Sequence, residues 1–486
     1  MMRSMIRSLG FDGASEKAEH SLPVRPERPS GPISKVVGLY HNLLRKTLQH
    51  FFPTAILEIE GDCSIIDWDG GPEETHFQFV EDPEQLGLQI IWLGTWLNFR
   101  PENPVPLLPL ERKLVEVIVR AVDLRFRSLF DQNLADRQER FQYLTEDLII
   151  ADFLSPVNPL RIPAALEALR VAALSTYENR RVSTGALLLG TPNDPAQPGR
   201  TNAKGAPRFN SRLTAIKGFH RLCDGVQTVF LVDYQGSLLR MTEIGSWADR
   251  VQGPDPPEHP CPRQYQSHAK ATRQGGHVCL MLTPSQEIKV FHGGTMSFSL
   301  SDARWRLLDI PSKFAVWKSA VGRTMPADLA PLLFQAALNL SEARAGALFV
   351  VVREPERAIR DLIAPSDRIT EEIAVDDPQD PENLSPRMAK QALHHSVRGA
   401  NLCDIEPAVL ESIAGLDGAV VVDGSGRLLT FGAILRIAPE SLELARSVQG
   451  ARTVAARAAS QYGPVLKISQ DGSVTMFLKG RRVWEL

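Results

Sequence analysis

The chain has 486 residues, 43% hydrophobic and 23% charged, with a formal net charge of −3. That length sets a prior of roughly three domains, and the balance excludes a collagen, a coiled coil and a wholly disordered chain. The near-neutral charge argues against holding a nucleic-acid polymer by bulk electrostatics.

Residues 1–34 are polar and rich in Pro, Ser and charge, which predicts a disordered arm. They lack the apolar core of a signal peptide. No later run reaches the ~20 apolar residues that span a bilayer, so a cytoplasmic protein is expected. Next, KVVGLYHNLLRKTLQHFF carries apolar residues at helical spacing. TAILEIEGDCSIIDW alternates like a strand and turns at Gly61-Asp62. LLPLERKLVEVIVRAVDLRFRSLF predicts an amphipathic helix with Leu114, Ile118 and Val122 on one face. Residues 35–158 thus read as an N-terminal α+β module without a chemical motif.

The remainder contains an internal repeat. Residues 164–190 parallel 331–351: an apolar-faced helix, a basic small-residue turn, then a buried strand opening Gly-Ala-Leu. VFLVDYQGSLL (229–239) parallels AVVVDGSGRLL (419–429). Both hold Val-Asp-x-x-Gly, in which Asp bonds back to the turn amides and Gly takes a positive φ. Residues 268–294 parallel 452–480: a small-residue helix, a strand, a turn and another strand. Three matches in one order predict two domains, 160–322 and 324–486, joined near RTMPADLAP (323–331). The predicted fold is mixed α/β, each copy a central mixed sheet flanked by helices.

Candidate chemistry concentrates in the second copy. Asp417-Gly418-Ala419 opens a strand, where glycine lets a ligand approach and Asp can hold a divalent metal or take a proton. Gly450-Ala451-Arg452-Thr453 opens a helix, where amides, the helix N-terminus and one arginine suit a phosphate. Ser469-Gln470-Asp471-Gly472 closes a late hairpin. Five cysteines, Cys63, Cys223, Cys261, Cys279 and Cys403, are scattered without a Cys-x-x-Cys, which favours reduced thiols. His259, Cys261, His268, His277 and Cys279 fit no zinc spacing. His394-His395 point in different directions on a helix and read as ordinary histidines. TPNDPAQPGRTNAKG (191–205) lacks the ending of a P-loop, and 365–386 is an acidic insertion.

In GALFVVV, LDGAVVVDGSGRLLTFGAIL, GARTVAARAAS and VLKISQDGSVTMF, residues 328–486 resemble the nucleotide-binding domain of the diadenylate cyclases, the domain of the DNA-integrity scanning protein DisA. The resemblance implies an adenine nucleotide, ATP or a cyclic dinucleotide, as partner. It implies Mg or Mn at Asp417, and contacts from Gly418, Ala419, Gly450, Arg452, Thr453 and Ser469, with Leu435 lining the base pocket. It also implies condensation of two ATP into cyclic di-AMP across a face-to-face dimer, formed by two chains or by the two copies of one chain. Departures accompany it. The family's Arg-His-Arg is Arg452-Thr453-Val454, its Gly-Thr-Arg is Gly-Ala-Arg, and its final Ser-Glu is Ser469-Gln470.

The first copy is more degenerate. Counted from the shared hairpin, Asp417, Gly418 and Ala419 fall on Gln227, Thr228 and Val229, while Asp224-Gly225 lies three residues earlier. Arg452 and Val454 fall on His268 and Lys270, whose residual basic character permits anion binding without metal chemistry. The expected function is a nucleotide sensor or regulator of the diadenylate cyclase fold. The alternatives are an active cyclase and a non-catalytic scaffold.

Overall fold

Local structure follows periodicity wherever a segment can bury one face. A computed structural model describes residues 35–60, 78–82, 87–92, 95–100, 107–129, 141–155, 161–190, 206–215, 218–219, 222–322, 326–369, 393–395, 397, 399–437 and 450–486. The arm at 1–34, the turn at Gly61-Asp62, the stretch 191–205 and most of 365–386 lie outside the described residues.

Helix α1 (Lys35–Phe51) buries Tyr40, Leu44 and Leu48, one residue per turn. Strands β1 (Ile56–Glu60), β2 (Gln78–Asp82), β3 (Gly87–Trp92) and β4 (Thr95–Arg100) form an antiparallel sheet in the order β1-β4-β3-β2. Helix α2 (Pro109–Ser128) buries Leu114, Ile118 and Val122 as its spacing predicts. Proline supplies its first residue, and Glu111 accepts from the Leu108 amide at 2.9 Å. Helices α3 (Thr145–Leu154) and α4 (Arg161–Ala173) follow.

The next sheet is built from β7 (Thr184–Leu188), β8 (Thr228–Val232), β9 (Leu238–Glu243), β10 (Val278–Leu282), β11 (Ile288–His292), β12 (Thr295–Ser301) and β13 (Arg304–Leu307). A two-stranded ribbon, β5 (Thr176–Tyr177) with β6 (Arg180–Arg181), precedes it. Helices α5 (Ile244–Gln252) and α6 (Gln266–Ala271) lie between β9 and β10 in the chain. Helices α7 (Ile310–Val321) and α8 (Leu329–Glu342) lead into β14 (Ala347–Val352). Then come α9 (Pro355–Asp361), α10 (Pro407–Ala414), β15 (Ala419–Asp423), β16 (Leu428–Ala433), α11 (Ala451–Ala459), β17 (Val465–Ile468), β18 (Val474–Leu478) and β19 (Arg481–Glu485).

Two compact units result. One takes the chain to 258 together with 264–309, and the other takes 259–263 and 310–486. The division falls at 309/310 rather than at the 322/324 boundary expected from sequence. Helix α7 belongs to the second unit because Trp317 donates to the Ala330 carbonyl (2.9 Å) and Lys313 to that of Glu485 (2.8 Å). Segment 259–263 belongs there because Gln335 brackets Cys261 and Arg263 bonds Asn339 and Glu411. The sequence separates 35–158 from 160–322. In the structure one core runs through both, joining Tyr40 and Ile118 to Leu166, Leu188, Phe230 and Phe298.

The two large sheets have one design. Their orders, β9-β8-β7-β10-β11-β12-β13 and β16-β15-β14-β17-β18-β19, match strand for strand, with β13 extra. In each, one pair is parallel, β7 with β8 and β14 with β15, and the other pairs are antiparallel. The central strands β7 and β14 are buried throughout, which is why they read as unbroken apolar runs. Two irregularities coincide, although the β15–β16 ladder has a further shift at Ala419/Val421. The ladder slips at Leu231/Val232 and at Val421/Val422, and again at Val290/Phe291 and Met476/Phe477. In the hairpins, Asp233 Oδ1 accepts from the amides of Gln235 and Ser237, and Asp423 Oδ1 from those of Ser425 and Arg427. Gly236 and Gly426 take φ of 89° and 87°.

One sequence pairing is corrected. The two Gly-Ala-Leu openings are not equivalent. Thr184 pairs with Leu282 and Ala347 with Ile468, and each partner is the last residue before the same hairpin turn. Thr184 therefore matches Ala347, two residues away from the alignment by Gly-Ala-Leu. A shift of two keeps every side chain on its own face, so the apolar pattern is blind to it.

Asp423→Ala removes the acceptor that organises the β15–β16 turn and should lower stability by about 1–3 kcal/mol in urea denaturation. Stability should also depend on His41, whose imidazole burial pushes down to about 4. A depressed folded pKa stabilises the fold above the unfolded value near 6.5. That contribution is lost as pH falls from about 6.5 to about 4, because the unfolded chain takes the proton first. The urea midpoint of His41→Leu should vary less across that window than that of the parent chain.

Candidate functional site

The second sheet gathers the predicted site at one edge through strand direction alone. β14 and β15 are parallel, so both begin there. β17 and β16 are antiparallel to them, so both end there, with Ile468 opposite Ala347 and Ala433 opposite Ala419. The edge therefore collects Gly346, Asp417-Gly418, Leu435 and Ser469.

Two glycines shape it. Gly418 has φ +119°, and a methyl there would stand 2.3 Å from the Gly432 carbonyl carbon. Only glycine lets the start of β15 lie this close to β16. At Gly346 a methyl would fall within 2.8 Å of the Arg452 Cζ, so the guanidinium occupies space that any side chain would fill. Arg452 itself lies in the first turn of α11, and its Nη2 is 3.8 Å from Asp417 Oδ1. The Asp417 side chain is fully exposed. Gly450 is the N-cap, contributes no side-chain cap, and stands in open space.

The remaining predicted residues divide. Thr453 Oγ1 accepts from Lys467 Nζ at 3.1 Å. Ser469 hydrogen-bonds the Asp471 carboxylate within its own turn. Burial raises the Asp471 pKa, but hydrogen bonds from Ser473 and Ser469 and the Lys467 charge outweigh it and leave the group below its ordinary value. Ala419 is buried in the sheet, so its side chain supplies shape only. Leu435 is packed into the core with Ala456 and Ala459 and does not present an open wall. Its neighbour Ile434 is exposed at the same edge, as is Leu416 beside Asp417. Sequence reasoning missed Gly346, Ile434 and Lys467. Lys467 carried a signal: it shares a strand face with the core residue Val465, where the alternation calls for an apolar side chain.

The metal expected at Asp417 meets a simple test. Among the described residues, no three His, Cys, Asp or Glu side chains are grouped to hold one. Asp417 belongs to no such group and lies beside Arg452. Magnesium is held by one or two carboxylates plus substrate phosphates. The donors thus fit a cation that arrives with a polyphosphate, and do not fit a resident metal.

The first sheet differs at the same edge. Asp224 is turned into its own loop, accepting from the amides of Val226 (3.0 Å), Gln227 (2.8 Å) and Thr228 (2.9 Å). Burial raises its pKa, and these bonds more than offset that and hold it low. A methyl at Gly225 would stand 2.6 Å from the Thr184 carbonyl, so this loop lies against the start of β7. The expected anion contacts are corrected too. His268 is buried, bonds the Gly225 carbonyl at 2.7 Å, and is driven toward the neutral form by burial. Lys270 is paired with Asp249. Helices α6 and α11 both pass a carbonyl just beyond their ends, Thr272 or Ser460, to the glycine turn after β11 or β18. Counted from that contact, His268 matches buried Ala456, one turn away from Arg452. His394, also singled out by sequence, is buried against Phe431, and its Nε2 lies 3.0 Å from that residue's carbonyl oxygen.

Gly418→Ala should cost about 1–3 kcal/mol in backbone strain alone, read as a lower urea midpoint. Gly346→Ala should leave the midpoint nearly unchanged while displacing Arg452, seen as a shift of its Nε–H resonance.

No helix of the described residues is long and apolar enough to cross a membrane. No curated protein matches the chain. Among solved structures, a hypothetical membrane spanning protein from Bacillus cereus is 21% identical, over 35% of this chain and 69% of that one, with a TM-score of 0.25. A double mutant of DacA from Staphylococcus aureus is 20% identical, over 32% of this chain and 87% of that one, with a TM-score of 0.19. Residues 334–482 match the DAC family, described as DisA bacterial checkpoint controller nucleotide-binding, so the C-terminal third of the chain resembles that domain.

Proposed function

We propose that residues 326–486 bind the phosphates of an adenine nucleotide and that the chain acts as a nucleotide sensor or regulator. The observation that carries this is the placement of Arg452. Its guanidinium lies over Gly346 and near exposed Asp417, at the uncapped start of α11. A helix N-terminus with an adjacent guanidinium suits a phosphate by both dipole and hydrogen-bond geometry. The family match over 334–482 supports the same ligand class.

A non-catalytic role is supported by what surrounds that arginine. Val454 stands where the family has a second arginine, and a valine gives no charge to a triphosphate. In the first copy the nearest carboxylate, Asp224, is engaged by its own loop amides. A second reading is favoured by the retention and full exposure of Asp417. In that reading, two ATP bound by two chains condense. Each ribose 3′-hydroxyl attacks the α-phosphate of the other nucleotide, and two pyrophosphates leave.

Calorimetry of the full chain with ATP and with cyclic di-AMP tests the proposal. Binding of at least one is expected, and Arg452→Ala should weaken it about tenfold or more, the worth of one charge-assisted bond. Incubation with ATP and Mn²⁺ should yield no cyclic di-AMP on chromatography. Product that disappears in Asp417→Ala would overturn the sensor reading in favour of the cyclase. Absence of binding to either nucleotide would leave the scaffold reading.

A further inference from the structure

Strand β17 reads Val-Leu-Lys-Ile, and its alternation places Val465 and Lys467 on one face. Val465 is in the core, and Lys467 pairs across the ladder with Leu348, also in the core. A lysine on such a face keeps its ammonium hydrated or partnered, because burying it alone is costly. Here the half-buried side chain reaches the start of α11, and Nζ donates to Thr453 Oγ1 at 3.1 Å. Thr453 directly follows Arg452. Two cations from different elements therefore reach the first turn of one helix.

That turn is already positive. The helix dipole places partial positive charge at its N-terminus. No acidic residue lies in the first turn of α11, and its N-cap is a glycine without a capping side chain. Among the described residues, Asp417 is beside Arg452, and Asp471 is engaged by Ser473 and Ser469 and also feels the Lys467 charge. A neutral threonine hydroxyl is a weak partner for an ammonium compared with a phosphate oxygen.

We infer that Lys467 is a second phosphate-binding cation of this site, delivered from strand β17 to the helix turn that also carries Arg452. The inference rests on the nucleotide reading above and deepens it. The ligand class is an adenine nucleotide with a phosphate bridging the Arg452 guanidinium and the Lys467 ammonium, and Thr453 holds the lysine in place before the phosphate arrives. The charge absent at Val454 is thereby supplied from another element of the fold.

Calorimetry of the full chain tests this with two probes, ATP and adenosine. Lys467→Met keeps the aliphatic stem and removes the charge. It should weaken ATP about 10- to 100-fold and leave adenosine within about twofold. Lys467→Arg should restore most of the ATP affinity. The slope of log affinity against log salt should be shallower for Lys467→Met than for the parent chain. Thr453→Val, which removes the acceptor, should weaken ATP less than Lys467→Met does. ATP binding unchanged in Lys467→Met, or equal losses for ATP and adenosine, would overturn the role of Lys467 while leaving the nucleotide reading intact. A parent chain that binds neither probe would overturn both. If Lys467→Met fails to fold by circular dichroism, Lys467→Gln and Thr453→Val give the same comparison.

Discussion

The arrangement depends on one pair of neighbouring parallel strands in a sheet that is otherwise antiparallel. A parallel pair cannot be closed by a hairpin and needs a long crossover, here the chain between β14 and β15 that carries α9 and α10. Its consequence is spatial. Both strands begin at one edge, so Gly346 and Asp417 become neighbours of one site although 71 residues separate them in the sequence. The antiparallel partners β16 and β17 end at that edge as well. Nothing else in the sheet would bring an Asp-Gly loop, a helix start and a lysine-bearing strand together.

The same frame occurs twice and is used differently. Strand order, the parallel pair, two ladder slips and the Asp-x-x-Gly hairpin agree between the sheets. The divergence lies in the loop before the second parallel strand. In the first sheet Asp224 binds its own amides and Gly225 lies against β7, so the carboxylate stabilises a loop. In the second sheet Gly418 lies against β16 and Asp417 points to solvent. Both loops contain Asp-Gly with the glycine at positive φ. Which strand the glycine leans on separates a structural turn from an exposed carboxylate. The frame tolerates this because much of its stability resides in the apolar faces of the sheet.

Electrostatics in the second unit is arranged around α11. Its first turn has no acidic residue, although an acidic side chain there would stabilise a helix. Instead it holds Arg452 and receives Lys467. Asp417 and Asp471 balance these charges locally without capping the helix. Such a turn gives up some intrinsic helix stability. Tertiary packing sustains it, since Ala456 and Ala459 of the same helix are fully buried.

The sequence by itself determined the elements and the duplication. The 3.6 period of α2, the unbroken apolar runs of β7 and β14, and the two Asp-x-x-Gly turns are local properties, legible one segment at a time. The cluster of Asp417, Gly418, Gly450 and Arg452 was also legible, because short motifs in order carry it. Only the tertiary structure decided the rest. The two-residue offset between the Gly-Ala-Leu strands is invisible to a pattern of period two. The burial of Leu435 depends on α11 packing over it, and the match of His268 to Ala456 depends on where a helix end meets a distant turn. Lys467 reaches Thr453 across 14 residues because β17 and α11 pack together. Each of these is set by long-range pairing, and a linear pattern holds no record of which ends meet.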